Sequence, residues 1–252
     1  MNEKRVTETP KRKSRKKRII LFSLLGAFLV LIAVCLIYLC TYYPADDEAI
    51  AAFGKVCATE FEDEDGNTIL APSTDANVGF IFYPGGKVEA DSYLPFMRSL
   101  AEKGIFCVLV DMPFNLAVFD TGAAKQPIER YSHIDKWYIG GHSLGGSMAA
   151  DFASKNTDRI DGVILLAAYS TADISDLSAL SVYGSEDEVM NAEKYEKYKS
   201  NLPSHLDEHI IEGGCHAYFG MYGEQDGDGE ASISPEEQII ITSGLVSDFI
   251  MK

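Results

Sequence analysis

A chain of 252 residues is long enough for one sizeable hydrophobic core, and its length favours a single globular domain over two. With 22 basic and 38 acidic residues the net charge is −16, which argues against a nucleic-acid binder that neutralises phosphates. Five cysteines, an odd number without CxxC spacing, argue against both a disulfide framework and a structural zinc site.

The charge is split along the chain. Residues 1–18 carry nine basic side chains against Glu3 and Glu8, leaving 13 basic and 36 acidic residues beyond them, a net of −23. Residues 19–40, IILFSLLGAFLVLIAVCLIYLC, are 22 in number and uncharged, long enough to span a bilayer as a helix. Tyr38, Tyr42 and Tyr43 stand where an interfacial aromatic belt is expected. A cleaved signal peptide fits less well, because its apolar region runs only about 7–15 residues and ends in a small-x-small site. A lipid-modified Cys35 would need a small residue before it, and Val34 is there. The expectation is an uncleaved single-pass anchor in the lipid bilayer, with residues 1–18 as a basic cytoplasmic tail and the C-terminal part outside the cell.

Residues 41–54 read as a short acidic linker, and residues 55–252 as the domain. KVCATEF and NTILAP, separated by the turn residues of EDEDGN, predict a hairpin. Continuous apolar runs follow at 78–83, 104–111, 136–141, 162–168, 177–184 and 208–214, alternating with helical patterns such as DSYLPFMRSLAEKG, LGGSMAADFASKN and PEEQIIITSGLVSDFI. Strands apolar on both faces, alternating with amphipathic helices, predict an α/β fold whose mainly parallel sheet is covered by helices on both sides.

Between the run at 136–141 and a helical pattern lies Gly141-His142-Ser143-Leu144-Gly145, a G-x-S-x-G sequence. Glycines there permit a sharp strand-to-helix turn that lifts Ser143 off the sheet, with the Leu144 amide and the helix start facing any oxyanion that forms. Phosphate-loop patterns fail, since Ser147 stands where lysine is needed and the glycines do not make G-x-G-x-x-G. A serine nucleophile needs a base and a carboxylate that orients it. His133 and His142 precede the serine, and His205 and His209 sit before or at the start of the last strand pattern. His216, in GGCHAYFG just after it, is the candidate base. The strand end at Gly184 is followed by Glu186, Asp187 and Glu188; any of the three could orient the base, and the shorter Asp187, easier to hold rigidly, is preferred.

GHSLGG, YGSEDEV and GGCHAYFGMYG together resemble the α/β-hydrolase superfamily over about residues 55–252. FYPGGKV and VDMPFNLAVF add a likeness to small bacterial hydrolases of that superfamily that often carry an N-terminal membrane anchor. The resemblance implies Ser143, Asp187 and His216 as nucleophile, acid and base, with Leu144 and either Gly86 or Lys87 as oxyanion donors; Pro84 departs from the usual motif before the glycines. Only YSTADISD separates the runs at 162–168 and 177–184, where relatives commonly insert a lid, so an open site without a cap domain is expected.

The sequence thus predicts a membrane-anchored serine hydrolase using neither cofactor nor metal. Its expected substrate is a small-molecule or surface-attached ester, and no nucleic-acid partner is expected. A peptidase or acyltransferase with the same triad, and a non-catalytic surface binding protein on the same fold, are the alternatives. The acidic loop GEQDGDGEAS lacks the ligand alternation of a calcium loop and reads as solvated, and a Cys57–Cys215 bridge is left open.

Overall fold

A computed structural model describes residues 13–54 and 59–252, in two units, Met1–Thr41 and Tyr42–Lys252. In the first unit, helix α1 runs over Lys13–Cys40. Its portion Lys17–Cys40, 24 residues, is long and apolar enough to cross a membrane. At 1.5 Å per residue it reaches about 36 Å, against a hydrocarbon thickness of about 30 Å.

The second unit begins with α2 (Asp47–Phe53), followed by the antiparallel hairpin β1 (Thr59–Glu62) and β2 (Thr68–Ala71). Then come β3 (Val78–Tyr83), α3 (Leu94–Glu102), β4 (Phe106–Leu109), α4 (Lys125–Arg130), β5 (Lys136–His142), α5 (Leu144–Ser154) and β6 (Gly162–Leu166). The chain ends with β7 (Ser178–Gly184), α6 (Ala192–Tyr198), β8 (Asp207–Ile211) and α7 (Pro235–Ile250). The eight strands form one sheet in the order β1-β2-β4-β3-β5-β6-β7-β8, with β2 antiparallel to both neighbours and every pair from β4 to β8 parallel.

The apolar runs are strands buried on both faces. In β3, Phe80 and Phe82 enter the core beneath α3 and α7, whereas Ile81 and Tyr83 enter the one beneath α5, and all four are fully buried. The β1–β2 turn is built by Asp63, whose carboxylate accepts the Asp65 and Asn67 amides while Arg130 pairs with it at 3.1 Å. The first residues of the expected hairpin, 55–58 and Cys57 among them, lie outside the described residues, as do 1–12 of the basic tail.

Between β6 and β7, residues 167–177 form neither helix nor strand, in accord with the short connection. Part of the segment read as a linker instead joins the domain: the Tyr43 amide donates to the Lys87 carbonyl at 2.7 Å, and α2, capped by Asp46, buries Ile50. The short helices α2, α4 and α6, of six or seven residues, are too brief to show a 3.6-residue period in the sequence.

Candidate active site

The site lies at the carboxyl ends of the parallel strands, where ligands of α/β sheets bind. Ser143 connects β5 to α5 in a conformation, φ 53° and ψ −119°, that a non-glycine residue rarely adopts. Such a residue costs about 1 kcal/mol or more and persists where its surroundings over-determine it. Here the Ser143 amide donates to the Leu166 carbonyl at 2.9 Å, and its carbonyl accepts from the Ser147 amide at 3.1 Å. A Cβ on Gly145 would overlap the carbonyls of Tyr83 and Pro84, and one on Gly141 would overlap Tyr83 and the first turn of α5. The elbow glycines are therefore demanded by close approach of β3 to the helix.

Unlike α2, α6 and α7, which are closed by Asp46, Asn191 and the Ser234–Glu237 capping box, α5 has no side-chain cap. Its first amides, beginning with Leu144, have no intrahelical carbonyl to pair with and face the site. The Tyr83–Val88 loop brings further amides. Gly85 to Val88 form a turn closed by the Val88 amide on the Gly85 carbonyl at 3.2 Å, with Lys87 at φ 67°. The Gly85 N–H donates to Tyr93 Oη at 3.1 Å, and the Lys87 N–H to the Asn115 carbonyl at 2.7 Å. Of the two donors expected here, Lys87 is thus engaged elsewhere, and the Gly86 N–H is left without a partner among the described residues.

The candidate acid and the candidate base meet. Asp187 follows β7 and His216 follows β8; Asp187 Oδ2 accepts from His216 Nδ1 at 2.9 Å, and both side chains are 1% exposed. The other carboxylate oxygen of Asp187 accepts the amides of Val189 and Met190 at 3.0 and 2.8 Å, which fixes its rotamer. Glu186 and Glu188, the competing carboxylates, are exposed, and Glu186 bonds Ser185 instead. Because a carboxylate only accepts, Nδ1 of His216 carries the proton and Nε2 presents a lone pair. That Nε2 is buried and has no hydrogen bond. The predicted Ser143–His216 bond is not made here: His216 Nε2 has no hydrogen-bond partner among the described residues. The ring of His142, the residue before Ser143, lies 4.5 Å from that of His216.

Three groups escaped the sequence reading. Asp228, from the loop taken as solvated, accepts the amides of His216 and Ala217 at 3.1 and 2.8 Å and so holds the histidine's turn. Tyr93 and His142 form a buried pair behind the Gly85–Val88 turn. Pro113–Asn115, a turn with Phe114 and Asn115 at φ 57° and 54°, props the same loop through the Asn115 carbonyl. It also presents Phe114 and Phe119, packed edge to face at 5.8 Å and more than half exposed. The Asp-Gly-Asp-Gly run around Asp228 was the one available sign, since carboxylates flanked by glycine cap turns as readily as they meet water.

Cys215 is a free thiol, and burial pushes it up to about 12, so it is not a thiolate nucleophile at neutral pH. No group of three or more potential metal ligands occurs among the described residues.

Several solved structures share the fold. A dienelactone hydrolase from Anabaena variabilis ATCC 29413 matches 77% of this chain and 98% of its own at a TM-score of 0.58 and 16% identity. Est1E from Butyrivibrio proteoclasticus matches 77% and 97% at 0.54 and 14% identity. A predicted CIB-like hydrolase from Thermoplasma acidophilum matches 77% and 100% at 0.52 and 20% identity. No curated protein sequence matches significantly. The family model described as "Alpha/beta hydrolase family" matches residues 79–240. With the strand order, the elbow and this match in agreement, the chain belongs to the alpha/beta hydrolase family.

Proposed function

We propose that the protein is a membrane-anchored serine hydrolase that cleaves carboxylic esters through an acyl-enzyme. The observation that carries this is His216: buried, its Nδ1 held by Asp187 and its Nε2 unpaired, in a fold whose strand-to-helix turn sets Ser143 in a strained conformation at the uncapped start of α5. Ser143 Oγ attacks the carbonyl carbon while its proton passes to His216 Nε2, and Asp187 balances the imidazolium that forms. The tetrahedral oxyanion is received by the amides of Leu144 and Gly86. One such preorganised donor lowers the barrier by ~3–4 kcal/mol. The alcohol leaves with the proton from His216. Water, deprotonated by the same nitrogen, then attacks the acyl-enzyme, and the acid is released as Ser143 regains its proton.

Catalytic hydrogen bonds are often long or poorly aligned without substrate and tighten in the substrate complex, and the unmade Ser143–His216 bond is read as one that substrate closes. The short β6–β7 connection leaves the site uncapped on that side, which favours a small ester or the end of a surface-attached molecule. The apolar Lys17–Cys40 segment, preceded by basic residues, serves as the anchor and keeps the catalytic unit outside the cytoplasm. The test is hydrolysis of p-nitrophenyl acetate and butyrate by the full chain in detergent. Turnover lost in Ser143→Ala is expected; equal turnover by the two proteins would end the proposal.

A further inference from the structure

His142, the residue between the elbow glycine and the serine, is 1% exposed and surrounded by aromatic rings, those of Tyr93, His216 and Phe219. A buried imidazole costs free energy unless its nitrogens are engaged, so its bonds need an account. Its Nδ1 lies 2.8 Å from Tyr93 Oη. Tyr93 is fully buried, and the same oxygen accepts the Gly85 N–H at 3.1 Å. The packing is close: a Cβ on Gly85 would stand 2.7 Å from His142 Nδ1 and 2.8 Å from Tyr93 Oη.

The direction of these bonds follows from counting protons. A tyrosine hydroxyl has one proton to give. If His142 carried its proton on Nδ1, Tyr93 Oη would accept from two donors and its own proton would be stranded in a dry interior, at a cost of ~1–3 kcal/mol. If instead Nδ1 is bare, the chain of donation runs Gly85 N–H to Tyr93 Oη, then Tyr93 O–H to His142 Nδ1, and one group is left unpaired, the Nε2–H, where the other tautomer leaves two, the Tyr93 hydroxyl proton and the Nε2 lone pair. The proton of the neutral ring is then on Nε2, which makes no hydrogen bond, while the ring itself packs 4.5 Å from that of His216.

We infer that Tyr93 and His142 are positioning residues: a hydroxyl and a neutral Nε2–H imidazole that tie the oxyanion turn at Gly85 to the elbow, with the imidazole packed against the His216 ring. The tie has two consequences for the proposed reaction, on which this inference rests for its kinetic part. It occupies the Gly85 amide, so that Gly86 is the donor aimed at the substrate. It also places an uncharged ring against His216, where a second imidazolium would oppose the charge that His216 gains during acyl transfer. Burial and the neighbouring His216 ring hold His142 well below its usual value of 6.5, in keeping with that neutrality.

Two measurements on the full chain in detergent test this. With five histidines in the chain, long-range proton–nitrogen correlation spectra of histidine-labelled protein resolve each ring, and His142 is assigned by its absence in His142→Gln. The Nε2–H tautomer at pH 7.5 is expected; the Nδ1–H tautomer would overturn the inference, and this readout does not depend on any hydrolytic activity. Tyr93→Phe keeps the ring packed against Phe82 and removes only the hydroxyl. Loosening the donor turn without deleting its amide is expected to lower kcat about tenfold with KM within twofold. A kcat within twofold of wild type, in a wild type that does hydrolyse esters, would also overturn it.

Discussion

Replacing Asp187 with asparagine separates the chemistry of the site from its architecture. Asp187 makes three hydrogen bonds, two from the Val189 and Met190 amides to one oxygen and one from His216 Nδ1 to the other. An asparagine of the same shape keeps its carbonyl oxygen on the two amides and turns its NH₂ toward His216. Donor then faces donor, so the imidazole moves its proton to Nε2 and loses the lone pair that must deprotonate Ser143. In a serine triad of this design the change costs about 10⁴ in kcat, equivalent to about 5.4 kcal/mol of barrier. The folded state loses one buried hydrogen bond to a charged group, about 2 kcal/mol, or roughly 4–8 °C of Tm for a domain of this size. The Asp187→Asn protein is therefore expected to be folded at 25 °C and nearly inert, when ester turnover and thermal denaturation are measured on the same preparation. A folded variant retaining more than a tenth of wild-type kcat would refute the assigned role of Asp187.

Further expectations follow from single contacts. Ser143→Gly relieves the φ 53° strain and is expected to raise Tm by about 2–4 °C while abolishing turnover; an unchanged or lowered Tm would deny that the elbow is strained. Asp228→Ala strands the amides of His216 and Ala217, and a loss of ~1–3 kcal/mol in urea denaturation with a fall in kcat is expected, whereas an unchanged enzyme would return that loop to mere solvation. His142 has a folded-state value below its unfolded one, so the unfolded chain takes up the extra proton as pH falls below about 6.5. Stability is accordingly expected to be about 1 kcal/mol lower at pH 5.5 than at pH 7.5 on its account, and His142→Gln should remove that share of the slope; an identical slope in both proteins would contradict it. Among p-nitrophenyl esters, short acyl chains should be preferred over long ones, and the reverse order would contradict an uncapped site.

Much of this molecule was legible before any coordinates. The runs at 78–83, 136–141 and 177–184 coincide with β3, β5 and β7 almost residue for residue, because strands covered on both faces are mostly apolar along their length. The order of strand ends pointed to His216 and to the three carboxylates at 186–188, and the preference for the shorter Asp187 matches its bond to His216. What the sequence could not display is bonding to main-chain groups. The engagement of Lys87 by Asn115, the amides on Asp187 and the grip of Asp228 on the His216 turn all join residues through backbone groups that every amino acid carries. The Tyr93–His142 pair was hidden for a related reason: nothing in YLPFM or GHSLG announces that the two will be buried against each other across 49 positions.

The central claim, that Ser143 is an activated nucleophile, is tested most directly by treating the full chain in detergent with a fluorophosphonate and mapping the adduct by peptide mass spectrometry. A single phosphonylated residue at Ser143, formed in wild type and strongly slowed in His216→Ala, is the predicted result. An unmodified Ser143, or one that reacts equally fast without His216, would contradict it.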